Sequence, residues 1–157
     1  NEEKYLPDCL QSICESDYPK DQMEVLVVDG LSTDRSRAIV AEFSSKHPFI
    51  RLIDNPKLIL AAAWNIGVKE SQGNVVFAMN AHAVIEPNYF RVCLKYLESH
   101  HADCVGPVIE THPQDETVLG KSIAAALSSP FGRLRRPWHC RETLDGYRQQ
   151  GPARSTQ

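Results

Sequence analysis

Three polar side chains stand where apolar runs stop: Asp29 after Val25-Leu26-Val27-Val28, and Asn80 and His82 after Val75-Val76-Phe77-Ala78-Met79. A carboxylate in such a place accepts hydrogen bonds from N–H donors, an amide both donates and accepts, and a neutral imidazole can ligate a transition metal. Each also has a plainer reading. Asp29 is equally a loop carboxylate that caps the helix after it, and His82 taken alone is a solvated loop histidine. Their shared position favours chemistry, because in a parallel α/β sheet ligands bind in the crevice beyond the carboxyl ends of the strands.

The elements that must hold these residues follow from periodicity. Tyr5, Leu6, Cys9, Leu10 and Ile13 have helical spacing, with Asn1 available as a cap and Pro19 beyond the end. Glu24 to Asp29 is a β-branched, nearly continuous apolar run, the pattern of a strand covered on both faces. Ser32 and Thr33 are candidate caps for a helix that buries Ile39, Val40 and Phe43 and stops before Pro48. Ile50 to Ile53 reads as a second strand, Leu58 to Lys69 as a helix, and Val75 to Met79 as a third, buried strand. Pro87 suits the first turn of a helix carrying Phe90, Cys93, Leu94 and Leu97 on one face. Cys104 to Ile109 reads as an edge strand, since Pro107 removes a ladder donor, and Val118 to Leu127 as a further helix. Strands alternating with helices predict an α/β fold, a Rossmann-like, mostly parallel sheet covered by helices.

The chain has 157 residues, a formal charge of −3 and 42% hydrophobic residues, which fits a globular chain with a real core. No apolar run reaches the roughly 20 residues that cross a bilayer. Five cysteines without a Cys-x-x-Cys pair resemble neither a disulfide framework nor a zinc site, and this favours a reducing compartment. Cys9 and Cys14 read as core or helix-surface thiols, and His100-His101 and His139-Cys140 as surface pairs. Asn1-Glu2-Glu3-Lys4 has no signal-peptide character, so the chain is expected to begin inside a longer protein. Residues 133–157 carry six Arg, no Lys and a net +4, leaving −7 on residues 1–132. An acidic body argues against nucleic acid as a partner.

Several short runs carry a resemblance when taken in order: Asn1-Glu2-Glu3-Lys4-Tyr5-Leu6, Tyr18-Pro19, Val27-Val28-Asp29-Gly30-Leu31-Ser32-Thr33-Asp34, Ala63-Trp64-Asn65-Ile66-Gly67 and Gly73-Asn74-Val75-Val76. Together they resemble a family 2 glycosyltransferase of the nucleotide-sugar (GT-A) fold. Asn80-Ala81-His82-Ala83 with Pro87 is similar to the branch that holds the succinoglycan-type exopolysaccharide glucosyltransferases. The match covers residues 1–132 and stops in the tail.

The resemblance implies roles residue by residue. Asp29 matches the family's base-contacting aspartate, and a carboxylate can accept the N–H of uracil. Asn80 and His82 match the first and last positions of the family's Asp-x-Asp motif, which handles the ribose and a divalent metal, Mn or Mg. Asn80 departs from the motif, because an amide brings no charge to a hard cation. Asn65 matches a donor-contacting asparagine, with a buried structural amide as the alternative. The implied reaction moves a sugar from a UDP-linked donor to a glycan or lipid-linked acceptor in polysaccharide synthesis, on the cytoplasmic side. Membrane association would come only from parts of the parent outside this chain.

The same resemblance puts the catalytic base in an acceptor half, and nothing in residues 133–157 matches it, so the chain alone is expected to be inactive. It also puts a first strand ahead of Asn1, beside Glu24 to Asp29, whose loss would leave backbone groups unpaired. Two other classes compete: a non-catalytic nucleotide-binding or interaction module of the same fold, and a receiver-type signalling domain with Asp29 as its acidic strand end. The receiver reading needs an Asp where this chain has Asn80.

The domain reading is therefore a partial donor-binding domain over 1–132 and an irregular basic tail over 133–157, for which a shifted reading frame accounts. A tail that docks on anionic lipid is the alternative, although Trp138 and Leu144 are too sparse for an amphipathic helix. Hydrogen exchange separates the two readings of this stretch from a packed element. Fast exchange throughout 133–157 is expected, and protection matching that of Glu24 to Asp29 would make the tail part of the fold.

Overall fold

Val25–Asp29 (β1) and Ile50–Asp54 (β2) form a parallel pair in register from Val25 opposite Ile50 to Asp29 opposite Asp54. The computed structural model describes residues 1–106, 117–128, 140–143 and 146–149, in two units, Asn1–Arg91 and Val92–Gln157. In the first unit the order is α1 (Leu6–Glu15), a short 3-10 turn (Lys20–Gln22), β1, α2 (Ser36–Lys46), β2 and α3 (Leu60–Glu70), ending at the start of α4 (Tyr89–Ser99).

Side-chain alternation along β1 explains the layers. Val25 and Val27 share one face, and with Leu52 they pack against a cluster of Leu6 and Leu10 from α1, Ile39 and Val40 from α2, and Ile50. Val28 lies on the other face beside α3, where a Cβ on Gly67 would come within 3.6 Å of Val28 Cγ2. A second cluster joins Cys9 and Ile13 of α1 to Phe90, with Phe77, Met79 and Ile85 around it. The Phe77 and Phe90 rings meet edge to face at 5.0 Å, a favoured aromatic geometry. Two faces of α1 thus serve two clusters, and Leu6, Cys9, Leu10 and Ile13 are all buried.

The strand expected over Val75–Met79 is not formed. Phe77 and Met79 turn inward while Val76 and Ala78 are exposed, so the period of two is real. A strand also needs a neighbour for its backbone, and among the described residues β1 bonds only to β2. With β2 alone beside it, β1 is half-buried along its whole length, although helices lie on both of its faces as expected. Two cap assignments also change. Tyr5, without a side-chain cap bond, precedes α1, and Pro7 occupies its first turn, where a missing N–H costs little. Helix α2 starts at Ser36, after Ser32 and Thr33, and Asp34 Oδ1 accepts the Ser36 N–H at 3.0 Å. Asn1 is used elsewhere, as described below.

In the second unit α4 runs on through buried Cys93 to Ser99, and α5 covers Val118–Ser128, as expected. Of the edge strand expected over Cys104 to Ile109, Cys104 to Gly106 are irregular and 107–109 lie outside the described residues. Within the stretch read as a tail, Cys140–Thr143 (β3) pairs antiparallel with Gly146–Gln149 (β4), and the remainder of 133–157 lies outside the described residues.

One long side chain closes α1. Lys20 Nζ donates to Ile13 O at 3.2 Å, to Ser16 O at 2.7 Å and to the buried Ser16 Oγ at 2.7 Å. A cation on the last carbonyls of a helix satisfies orphan acceptors and opposes the dipole. Lys20→Met keeps the stem and removes the ammonium, so urea denaturation is expected to show a loss of about 1–2 kcal/mol with an unchanged m-value.

Candidate functional site

Asp29 is the last residue of β1, and its side chain is only 9% exposed. Its Oδ2 accepts the backbone N–H of Ser32 at 2.9 Å and a guanidinium N–H of Arg37 at 2.8 Å. The same Arg37 nitrogen donates to Asp54 Oδ1, also at 2.8 Å. The cation therefore sits between the two carboxylates that the strand register puts side by side. Burial pushes the Asp29 carboxyl up, but the Ser32 and Arg37 hydrogen bonds and the nearby guanidinium charge outweigh it and hold its pKa below the usual value.

The loops around Asp29 are tightly formed. Leu31, in the loop after β1, and Leu58, in the loop after β2, both adopt left-handed backbone conformations with φ of 56° and 59°. Leucine takes that conformation at a cost of roughly 1–3 kcal/mol, and such strain collects at functional sites. Asn55 holds the second loop. It is 2% exposed, donates its N–H to Asp29 O at 2.7 Å and its Nδ2 to Ile59 O at 3.0 Å, and accepts the Lys57 N–H at 3.2 Å.

The N-terminal segment ties this region to the second polar site. Asn1 donates from its backbone nitrogen to Ser32 Oγ at 3.1 Å and its side-chain Oδ1 accepts the Thr33 N–H at 2.9 Å. The Glu2 N–H goes to Ser36 Oγ at 2.8 Å, and Glu3 Oε2 accepts the Arg35 N–H at 3.0 Å. Glu2 Oε2 lies 3.8 Å from His82 Nδ1. Asn1 to Glu3 therefore strap the loop after β1 to the turn at Asn80–Ala83, which an Ala83 N–H to Asn80 O bond of 3.0 Å closes. Cys9 Sγ also donates to Asn80 O, at 3.8 Å, and burial pushes this thiol up to about 11, so it is no nucleophile at neutral pH.

Of the four residues singled out by sequence, Asp29 and His82 are linked through this strap. Asn80 is in the same turn, with its side chain exposed. Asn65 is on α3 and exposed, so the buried-amide alternative does not hold for it. Among the described residues no three His, Cys, Asp or Glu side chains converge as a metal cluster. His82 and Glu2 offer one imidazole and one carboxylate, a donor count that suits an ion arriving with phosphate oxygens and not a closed protein cage. Arg37, Asp54 and Asn55 were not singled out. The signal for Arg37 was present: two acidic residues closing consecutive strands call for a cation within reach, and the helix between them carries one.

Comparisons with known proteins agree with this architecture. The family model described as glycosyl transferase family 2 matches residues 1–151. A Methanococcus voltae dolichyl N-acetyl-α-D-glucosaminyl phosphate 3-β-D-2,3-diacetamido-2,3-dideoxy-β-D-glucuronosyltransferase is 37% identical over 93 residues, which are 58% of this chain and 29% of that protein. The Pyrobaculum calidifontis mannosyltransferase PcManGT, solved with GDP-Man and Mn²⁺, is similar in structure with a TM-score of 0.59 and 28% identity, over 71% of this chain and 33% of that one. Staphylococcus aureus TarS, solved with UDP-GlcNAc, aligns with a TM-score of 0.58 at 24% identity over 74% of this chain and 36% of that one, and supports the fold.

A parallel sheet under helices, with polar residues at its carboxyl edge, is thus a GT-A nucleotide-sugar architecture. The chain belongs to glycosyl transferase family 2. That membership displaces the receiver-domain alternative. The chain spans about a third or less of the length of these relatives.

Because the folded pKa of Asp29 lies below its unfolded value near 3.8, its ionisation stabilises the fold at every pH above that value. The contribution is lost as pH falls through the lowered folded value. Asp29→Asn is therefore expected to be less stable than the wild type at pH 7, with the gap narrowing at pH 3. Denaturant titrations at both pH values check this, and a gap that does not change with pH would contradict it.

Proposed function

We propose that this chain forms the donor side of a glycosyltransferase that moves a sugar from a nucleotide diphosphate, UDP-linked, to a glycan or lipid-linked acceptor in polysaccharide synthesis. The observation that carries the reading is Asp29, a largely buried carboxylate held ionised at the carboxyl end of β1 by Ser32 and Arg37. Its Oδ1 takes neither the Ser32 nor the Arg37 bond and is the acceptor for an N–H of the base. Asn80 addresses the ribose with an amide that can donate and accept. Asn65, exposed on α3, is a further donor contact. His82 ligates a divalent ion, Mn²⁺ or Mg²⁺, with Glu2 beside it. When bound, such an ion neutralises charge that builds on the leaving diphosphate.

Similarity of Asn80-Ala81-His82-Ala83 to the succinoglycan-type branch supports an exopolysaccharide product, and the reaction belongs on the cytoplasmic side. No described helix is long and apolar enough to cross a membrane. In this reading residues 1–132 are the donor-binding domain and 133–157 an irregular basic tail, although the family model extends to residue 151. The acceptor-side base is not among the residues that the resemblance matches, so the 157-residue chain alone transfers no sugar. A second reading, a non-catalytic nucleotide-binding or interaction module of the same fold, is favoured by Asn80 in place of a carboxylate.

Calorimetry on the full protein with a UDP-sugar, with and without Mn²⁺, decides between the readings. Donor binding strengthened by metal is expected. His82→Ala should abolish the metal dependence, and Asn80→Asp should keep or raise it by restoring a charged oxygen donor. Metal-independent binding in the wild type favours the second reading, and no nucleotide-sugar binding at all overturns the proposal.

A further inference from the structure

Arg37 lies in the first turn of α2, where the helix dipole disfavours a cation. Its place makes sense through what it touches. Register puts Asp29 and Asp54 opposite each other at the ends of strands about 4.8 Å apart, and two carboxylates so close repel each other unless a cation lies between them. One Arg37 nitrogen contacts both at 2.8 Å. Asp54 is 60% exposed and can hydrate, whereas Asp29 is 9% exposed and depends on protein donors. The arginine and the Ser32 N–H both bond to Oδ2, which fixes the rotation of the carboxyl group and leaves Oδ1 clear of both bonds. The helix end that carries Arg37 is itself fastened by the Glu2 N–H on Ser36 Oγ and by the Asp34 carboxylate on the Ser36 N–H.

We infer that Arg37 is the positioning residue for base recognition: by bridging Asp54 and Asp29 Oδ2 it holds the Asp29 carboxylate turned so that Oδ1 meets the N–H of the base. This rests on the reading of Asp29 as the base acceptor. Arg37 itself touches no ligand in this arrangement. Its effect is on discrimination between bases that carry a hydrogen there and bases that do not.

The test compares UDP with N3-methyl-UDP, which lacks the N–H, by calorimetry on the full protein. A site built to accept a hydrogen bond rejects an analogue that cannot supply it, so the wild type should prefer UDP by at least about tenfold. Arg37→Ala should reduce the preference to about threefold or less, and Arg37→Lys, which keeps the charge, should retain most of it. Arg37→Met keeps the aliphatic stem and serves as the neutral variant if the alanine form does not fold. A wild-type preference that persists in the neutral variants overturns the inference and leaves Asp29 as the base contact. Loss of preference in Arg37→Lys as complete as in Arg37→Ala also overturns it, since the effect would then be general disruption. No preference in the wild type would instead remove the reading of Asp29, and the inference with it.

Discussion

Parallel pairing in one register is the constraint from which the rest of the first unit follows. Val25–Asp29 against Ile50–Asp54 puts alternate side chains under α1 and α2 and sets Val28 beside α3. It also brings two carboxylates to the same end of the sheet. A shift by one residue would turn every side chain to the opposite face and separate Asp29 from Asp54. The crossover helix α2 supplies the cation that such an end requires, so the packing of the core and the electrostatics of the site come from one geometry.

The strap formed by Asn1 to Glu3 gives the site its second half. Backbone and side-chain groups of these residues bond to Ser32, Thr33, Arg35 and Ser36, and Glu2 reaches His82. Most of these bonds are exposed, and each alone is worth about 1 kcal/mol or less. Their value is in position. They join two loops that no strand ladder joins, because Val75–Met79 runs beside the sheet without entering it.

A donor site of this form differs from a closed metal cage. On the reading proposed above, one imidazole and one carboxylate at the edge would leave most coordination positions to a diphosphate and water. Asp29 at the end of β1 already has a cationic partner in Arg37, so it has a different place in this reading from the residues around His82.

Local patterns in the sequence determined much of this. Helical spacing at Leu6, Cys9, Leu10 and Ile13, the β-branched run into Asp29, and the motif order that marks the family all survive in the structure, because they depend on near neighbours and on burial. Asp29 and His82 were legible for the same reason, as polar residues that end apolar runs. What only the tertiary structure decided depends on partners distant in the chain. Whether Val75–Met79 becomes a strand turns on a backbone neighbour, and its period of two carries no information about one. The role of Asn1 turns on the loop 31 residues away that it bonds, and not on the helix next to it. Arg37 bridges two carboxylates because the register of two strands placed one on each side of it.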